Sequence, residues 1–99
     1  MKEGSLQPPL AALGHRTRLA IVEALATAGS SGRLPSELAD DLGIPRNLLS
    51  AHILVLERTG LVAAEQRGRN RVLRLNAVEL LRVSGMLAEI AQRGDVQPG

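Results

Sequence analysis

The segment from Leu34 to Asn76 constrains the fold most strongly, because two helical patterns are joined there by a tight turn and followed by a hairpin pattern. Pro35 starts a helix that Gly43 ends, and Pro45 starts a second helix that continues to Gly60. Two strand patterns follow, at 61–66 and 72–75, with a basic turn at 67–71 between them. Helix, turn, helix and basic hairpin are the layout of a winged helix-turn-helix, in which one helix enters a DNA groove and the wing lies beside it.

The composition favours a mainly α fold with a small β-hairpin, because the 18 Leu and 13 Ala are strong helix formers. The core must be built from small contacts, since the chain has no Phe, Tyr or Trp. We predict a short apolar helical turn after Pro8-Pro9, helices over 17–28, 36–42, 45–60 and 77–93, and the two wing strands. The 99 residues are expected to form a single domain, 1–99, with 1–7 and 94–99 as flexible tails.

Several classes of protein are not expected from this sequence. No apolar run approaches the roughly 20 residues of a membrane span, and the first seven residues lack the apolar core of a signal peptide, so a cytoplasmic bacterial protein is expected. The absence of cysteine excludes disulfides and thiolate ligands. We expect no enzyme, because there is no nucleophile cluster or phosphate-binding glycine loop, and the adjacent Asp40 and Asp41 are interpreted as solvated.

The helix after Pro45 divides into two faces at about 100° per residue. The apolar side is predicted to hold Leu48, Leu49, His52, Val55 and Leu56. The other side holds Arg46, Asn47, Ser50, Ala51, Leu54 and Arg58. Arg46 has the geometry to bind guanine and Asn47 to bind adenine, while Ala51 permits close approach or contact with a thymine methyl. The alternative is that Arg46 and Asn47 are simply solvated residues of a first turn.

The wing pattern carries four arginines with no acidic residue between them: Arg67, Arg69, Arg71 and Arg74. Gly68 and Asn70 tolerate the positive φ angles of a tight hairpin. A flexible basic tip of this kind suits phosphates or a minor groove. The alternative is a hairpin whose charged edge merely prevents aggregation.

The last predicted helix carries an apolar stripe at Leu80, Val83, Leu87 and Ile90. A terminal helix on a small domain has little of its own chain against which to bury such a stripe, so we predict a homodimer; the alternative is packing on the protomer core. A dimer presents two recognition helices to half-sites roughly 34–36 Å apart, which predicts a pseudo-palindromic operator.

The ordered set of motifs resembles the ArsR (arsenic-repressor) family of bacterial winged-helix regulators. The matching pieces are Ala12–Ile21 (ALGHRTRLAI), Ser36–Ala39 (SELA), Leu48–Glu57 (LLSAHILVLE), Thr59–Val62 (TGLV) and the arginine wing. The resemblance implies a homodimer formed by the first and last helices, with Leu10 and Leu13 added to the stripe above. It also implies repression at an operator, with DNA contacts at Arg46, Asn47, Ser50 and Ala51. With the adjacent polar residues, the predicted DNA-binding set also includes Arg58, Arg67, Arg69, Asn70 and Arg71.

The chain departs from the metal-sensing members of that family. Some members have a cysteine pair ahead of Glu-Leu-Ala, where residues 33–36 of this chain offer no metal-binding side chain. Other members use Asp and His in the last helix, where this chain has Glu79 and Glu89 but no His. We therefore expect no metal, no cofactor and no thiol-based sensing, and the effector is unknown. The two histidines are assigned structural roles: His52 as a buried, hydrogen-bonded core residue and His15 as a helix cap or surface residue.

Two functions compete at this point. The first is a dimeric transcriptional repressor that binds double-stranded DNA. The second is a winged-helix module that binds another protein, an alternative motivated by Leu54 on the recognition face, where the family often has Lys, and by the formal net charge of only +2.

Overall fold

The computed structural model describes residues 6–94, which form five α-helices and one β-hairpin. The elements are α1 (Gln7–Leu13), α2 (Arg16–Ala28), α3 (Pro35–Leu42), α4 (Arg46–Arg58), β1 (Val62–Arg67), β2 (Asn70–Leu75) and α5 (Ala77–Arg93). This order confirms the predicted winged helix-turn-helix. The expected tails lie outside the described residues at 1–5 and 95–99, whereas Gln7 already belongs to α1. None of the helices between residues 6 and 94 is both long and apolar enough to cross a membrane.

Side chains and glycines at the helix ends explain why the helices begin and end where they do. The Nδ1 atom of His15 accepts a hydrogen bond from the backbone N–H of Thr17, so His15 caps α2 as predicted. Glu37 accepts from the N–H of Leu34 at 3.0 Å and so closes the first turn of α3. Gly43 ends α3 in the left-handed conformation, with φ of 68°. The tight turn between α3 and α4 therefore follows from local chemistry.

The core lies between α2, α3, α4 and the hairpin, and its fully buried large side chains are all aliphatic. These are Ile21, Leu25, Leu38, Leu49, Leu56, Leu61 and Leu73. On α4 the inward residues are Leu49, Ile53 and Leu56, so the prediction that Leu48 faces the core is wrong. Leu48 is 44% exposed. Periodicity alone misplaced the centre of this face, because α4 has leucines on nearly every side.

The hairpin is an antiparallel pair whose register runs from Val62 opposite Leu75 to Arg67 opposite Asn70. Each strand extends slightly further towards the turn than the sequence indicated, and Gly68 adopts a φ of 62°. The hairpin is tied to the helical body by Arg33, whose backbone exchanges two hydrogen bonds with Leu73, at 2.9 and 2.8 Å. The loop between α2 and α3 thus fixes where the wing lies relative to α4.

Gly32 is required at this junction. Its φ is +68°, and a Cβ atom placed there would collide with the Cγ1 atom of Val72 and lie 2.6 Å from the carbonyl oxygen of Leu73. Gly43 has the same φ, but a Cβ atom there would meet nothing within 4 Å. Gly32, with ψ of −174°, therefore combines a backbone conformation that essentially only glycine adopts with a steric collision, whereas Gly43, with ψ of 34°, has only the left-handed conformation.

We predict that Gly32→Ala destabilises the protein much more than Gly43→Ala does. The strained φ alone costs about 1–2 kcal/mol for a residue with a Cβ atom, and the collision at position 32 adds roughly 1–3 kcal/mol of overpacking. Urea unfolding of the two variants measures the difference. Equal losses in the free energy of unfolding would contradict the close packing of Gly32 against β2.

Candidate nucleic-acid interface

The side of α4 opposite its buried residues is a ridge formed by Asn47, Ala51, Leu54 and Arg58. At about 100° per residue these four side chains fall within roughly 60° of one another, on the face turned away from the core. All four are exposed, and Leu54 keeps 45% of its surface accessible. Within residues 6–94, neither the Asn47 amide nor the Arg58 guanidinium has a hydrogen-bond or ion-pair partner. The ridge is therefore free to contact another molecule.

A groove of about 390 Å³ separates the start of α4 from the wing tip. We call it the wing groove, and its lining residues are Leu34, Pro35, Ser36, Arg46, Ser50, Arg69, Asn70 and Arg71. Arg46 and Ser50 lie on the flank of α4 that faces the wing, and the hairpin register brings Asn70 and Arg71 to the same place. The fold thus unites residues more than twenty positions apart in one basic concave surface.

The four wing arginines, which the sequence predicts as a flexible basic tip, differ in what they contact. Arg67 donates to the carbonyl oxygens of Ser31 and Ser30, both at 3.0 Å, and to Glu65. Arg71 donates to Glu57 on α4 at 2.6 Å, and Arg74 pairs with Glu65. Arg69 alone of the four makes no hydrogen bond or ion pair within the described chain. The acidic partners of the wing arginines are Glu57 on α4 and Glu65 on β1, which lie outside the turn.

These contacts change the charge that the wing offers to an anion. The guanidinium groups of Arg67 and then Arg74 hold the pKa of the Glu65 carboxyl below its usual value, so Glu65 stays ionised and offsets part of their charge. Glu57 offsets part of the charge of Arg71 through an ion pair at 2.6 Å. Among residues 6–94, the guanidinium groups that line the wing groove without a partner are those of Arg46 and Arg69.

The nine predicted DNA-binding residues are all exposed, and the structure divides them into three groups. The ridge holds Asn47, Ala51 and Arg58; the wing groove holds Arg46, Ser50, Arg69, Asn70 and Arg71. Arg67 stands apart, because it fastens the wing to the loop at Ser30 and Ser31. Sequence reasoning missed the roles of Glu57 and Glu65, although an acidic residue spaced two positions before Arg67 in a strand lies on the same face of the hairpin.

The six residues predicted for the dimer interface differ in how far the single chain buries them. Leu10, Leu87 and Ile90 are exposed, whereas Leu13 and Leu80 pack partly against the core. Val83 is only 2% exposed within the single chain, which matches the alternative of packing on the protomer core. The first half of the α5 stripe therefore packs on the protomer, and the second half, at Leu87 and Ile90, is exposed.

The most exposed apolar residues of α5 were not predicted. Val78 and Leu81 retain 77% and 70% of their surface, on the side of the helix away from Val83. Val78 and Leu81 are three residues apart, and this i, i+3 spacing in the sequence indicates a second apolar face on the helix. α5 therefore exposes apolar residues in two places: Val78 and Leu81 on the face opposite Val83, and Leu87 and Ile90 further along the same face as Val83.

The two histidines meet where α2 begins. Their ring centroids are 4.6 Å apart, and His52 lies half-buried on the flank of α4 away from the wing. No residue between 6 and 94 hydrogen-bonds to His52, so the prediction of a buried, hydrogen-bonded core histidine is wrong. Burial, together with the charges of His15 and Arg18, lowers the pKa of His52. The pair does not extend to a metal site, since no three His, Asp or Glu side chains of the described chain converge.

Comparison with known proteins was made at the levels of family, sequence and fold. Residues 13–64 match the family model of a helix-turn-helix domain. A search of curated protein sequences gave no significant match. A search of solved structures, in contrast, gave many matches.

Three of these structures illustrate the likeness. An ArsR-like transcriptional regulator from Rhodococcus sp. RHA1 is 30% identical with a TM-score of 0.81, and the match covers 91% of this chain and 82% of that one. An ArsR family transcriptional regulator is 25% identical with a TM-score of 0.77, covering 94% and 93% of the two chains. A homodimeric winged helix-turn-helix DNA-binding domain from Mycobacterium bovis, described as possibly of the ArsR family, shares the fold at 22% identity and a TM-score of 0.67, over 93% and 84%.

The lowered pKa of His52 predicts that stability falls in mild acid. The unfolded chain, with a histidine pKa of about 6.5, binds a proton before the folded chain does. The free energy of unfolding is therefore highest above about pH 6.5 and decreases as the pH falls towards the lower folded pKa. Thermal unfolding between about pH 7.5 and 5.5 should show a falling Tm for the wild type and a smaller fall for His52→Gln. An identical fall in both proteins would contradict the assignment to His52.

Proposed function

This chain belongs to the ArsR family of winged helix-turn-helix transcriptional regulators, and we propose that it works as a dimeric repressor that binds a pseudo-palindromic operator in double-stranded DNA. The observation that carries the proposal is the wing groove. It places the unpaired guanidinium groups of Arg46 and Arg69 on either side of one concave surface, next to an exposed ridge of α4. Arginine binds phosphate oxygens in a bidentate manner. The major groove of DNA is wide enough to admit an α-helix such as α4.

The dimer is supported by apolar surface that a single chain leaves exposed. Leu10 on α1 and Leu87 and Ile90 on α5 are exposed, as are Val78 and Leu81 on the other edge of α5. Exposed apolar residues concentrated on one helix are typical of a protein–protein interface. The relative from Mycobacterium bovis is described as a homodimeric DNA-binding domain. A twofold dimer would place two α4 helices on half-sites about one helical turn apart.

The repressor acts in the cytoplasm as a single domain and represses its own promoter or a neighbouring operon. It requires no cofactor and does not sense metals or thiols, since it has no cysteine and residues 33–36 hold no ligand. It is not an enzyme.

One observation favours a second candidate function, a module that binds protein instead of DNA. Leu54 is an exposed apolar residue in the middle of the recognition ridge, where a purely electrostatic DNA contact would have a polar group. Against this, Arg58 on the same ridge and Arg46 and Arg69 in the adjacent wing groove are cations with no partner among residues 6–94, which favours a polyanion. Binding to DNA separates the two functions.

We predict steeply salt-dependent, sequence-selective binding to duplex DNA that contains the protein's own promoter. Each phosphate contact contributes about 0.9 to the slope of log K against log salt. Arg69→Ala should therefore lower the slope by about 1.8 in a dimer, because one contact is lost in each half-site. The matched control is Arg67→Ala, which should leave the slope unchanged, since Arg67 is already bound to Ser30 and Ser31. Mobility shift or fluorescence anisotropy across a salt series measures both slopes.

Absence of binding at low salt would refute the repressor and leave the protein-binding module. Binding in which Arg67→Ala lowers the slope as much as Arg69→Ala would refute the division of the wing arginines, because both would then contact phosphate.

A further inference from the structure

We infer that the ridge of α4 selects A·T base pairs through thymine methyl groups held by Leu54 and Ala51, while Arg46 binds backbone phosphate with the wing. This inference rests on the proposed function, because it specifies which bases the DNA site contains. It gives Arg46 a different role from the guanine contact that its residue type alone suggests.

The first step is the direction in which Arg46 lies on α4. The buried residues Leu49, Ile53 and Leu56 define the inward direction of the helix. At about 100° per residue, Arg46 lies roughly 100° from Asn47 and on the flank that faces the wing. There it lines the wing groove with Arg69 and Ser50. Two unpaired guanidinium groups and a hydroxyl around one groove match a phosphate, whereas a guanine contact requires a side chain on the ridge itself.

The second step is the chemistry of the ridge. Along the helix axis its residues are an amide (Asn47), two apolar side chains (Ala51 and Leu54) and a guanidinium (Arg58). From Asn47 to Arg58 the ridge spans about 16 Å at 1.5 Å per residue. A major groove is about 12 Å wide, so the apolar middle meets base edges while Arg58 reaches the far phosphate strand.

The apolar side chains of Ala51 and Leu54 require an apolar group on the DNA. The thymine C5-methyl is the apolar group that an unmodified base pair presents in the major groove. Asn47, next to the apolar pair, has the donor and acceptor that match the edge of adenine. An apolar patch with cationic groups on both sides, Arg58 beyond it and Arg46 beside it, matches base edges between two phosphate strands better than it matches a protein surface.

The test begins with selection of bound duplexes from a random library by the wild-type protein, which yields the half-site. Thymines of that half-site are then replaced by uracil, which keeps the base pairing and lacks only the methyl group. One buried methyl contributes about 0.8 kcal/mol, so wild-type affinity should fall about fourfold per contacted thymine in one half-site. Leu54→Ala should lose affinity for the thymine duplex and respond little to the replacement.

Leu48→Ala is the matched control, because Leu48 is on the same helix and equally exposed, at 44% against 45%, but lies about 120° away around the axis. It should keep the full response to uracil. Arg46→Ala should keep the response to uracil as well, and should lower the salt slope by about 1.8 in a dimer.

The possible results distinguish a failure of the thymine-methyl inference from a failure of the proposed repressor function. A selected site rich in A·T pairs, with a uracil response that Leu54→Ala abolishes and Leu48→Ala retains, supports the inference. A selected site to which the wild type binds thymine and uracil duplexes equally overturns the inference and leaves the repressor intact. An unchanged salt slope in Arg46→Ala overturns the phosphate role. Failure to select any sequence overturns the proposed function, and the inference with it.

Discussion

The backbone pairing of Arg33 with Leu73 is the contact on which the rest of the surface depends. It joins the loop before α3 to the second wing strand through two hydrogen bonds, and Gly32 makes the approach sterically possible. Because α3 packs against α4, the same loop sets the distance between the wing and the recognition helix. The wing groove exists because this pairing holds its two sides in place.

Side-chain contacts of the wing arginines also hold the wing in place. Some of its positive charge therefore serves to orient the hairpin. Arg67 is bound to two backbone carbonyls and Arg71 to Glu57, so two of the four arginines serve to orient the hairpin. An oriented wing loses less conformational entropy on binding than a flexible one does. The formal net charge of +2 is small, but Arg46 and Arg69, whose guanidinium groups have no partner among residues 6–94, both lie where α4 and the wing meet.

The fold and the general location of the site could be predicted from the sequence, because residues close together in the chain determine them. Pro35, Gly43 and Pro45 bound the two helices, and the predicted bounds of α5, 77–93, agree with the structure. The finer errors have a different cause, since they depend on contacts between distant residues. Glu57 and Arg71 are far apart in the sequence, and nothing local indicates that they pair. Likewise, α4 carries leucine on both flanks, so periodicity could not decide between Leu48 and Ile53 for the core.

On this proposal, α4 and the wing tip form one continuous surface that contacts DNA. Backbone amide NMR spectra of the protein, recorded as a selected duplex is added, show where the contact lies. The largest chemical shift changes should fall within 46–58 and 67–71, while the exposed residues of α5 change little. Shift changes concentrated on α5, or confined to the wing with none on α4, would contradict the proposal.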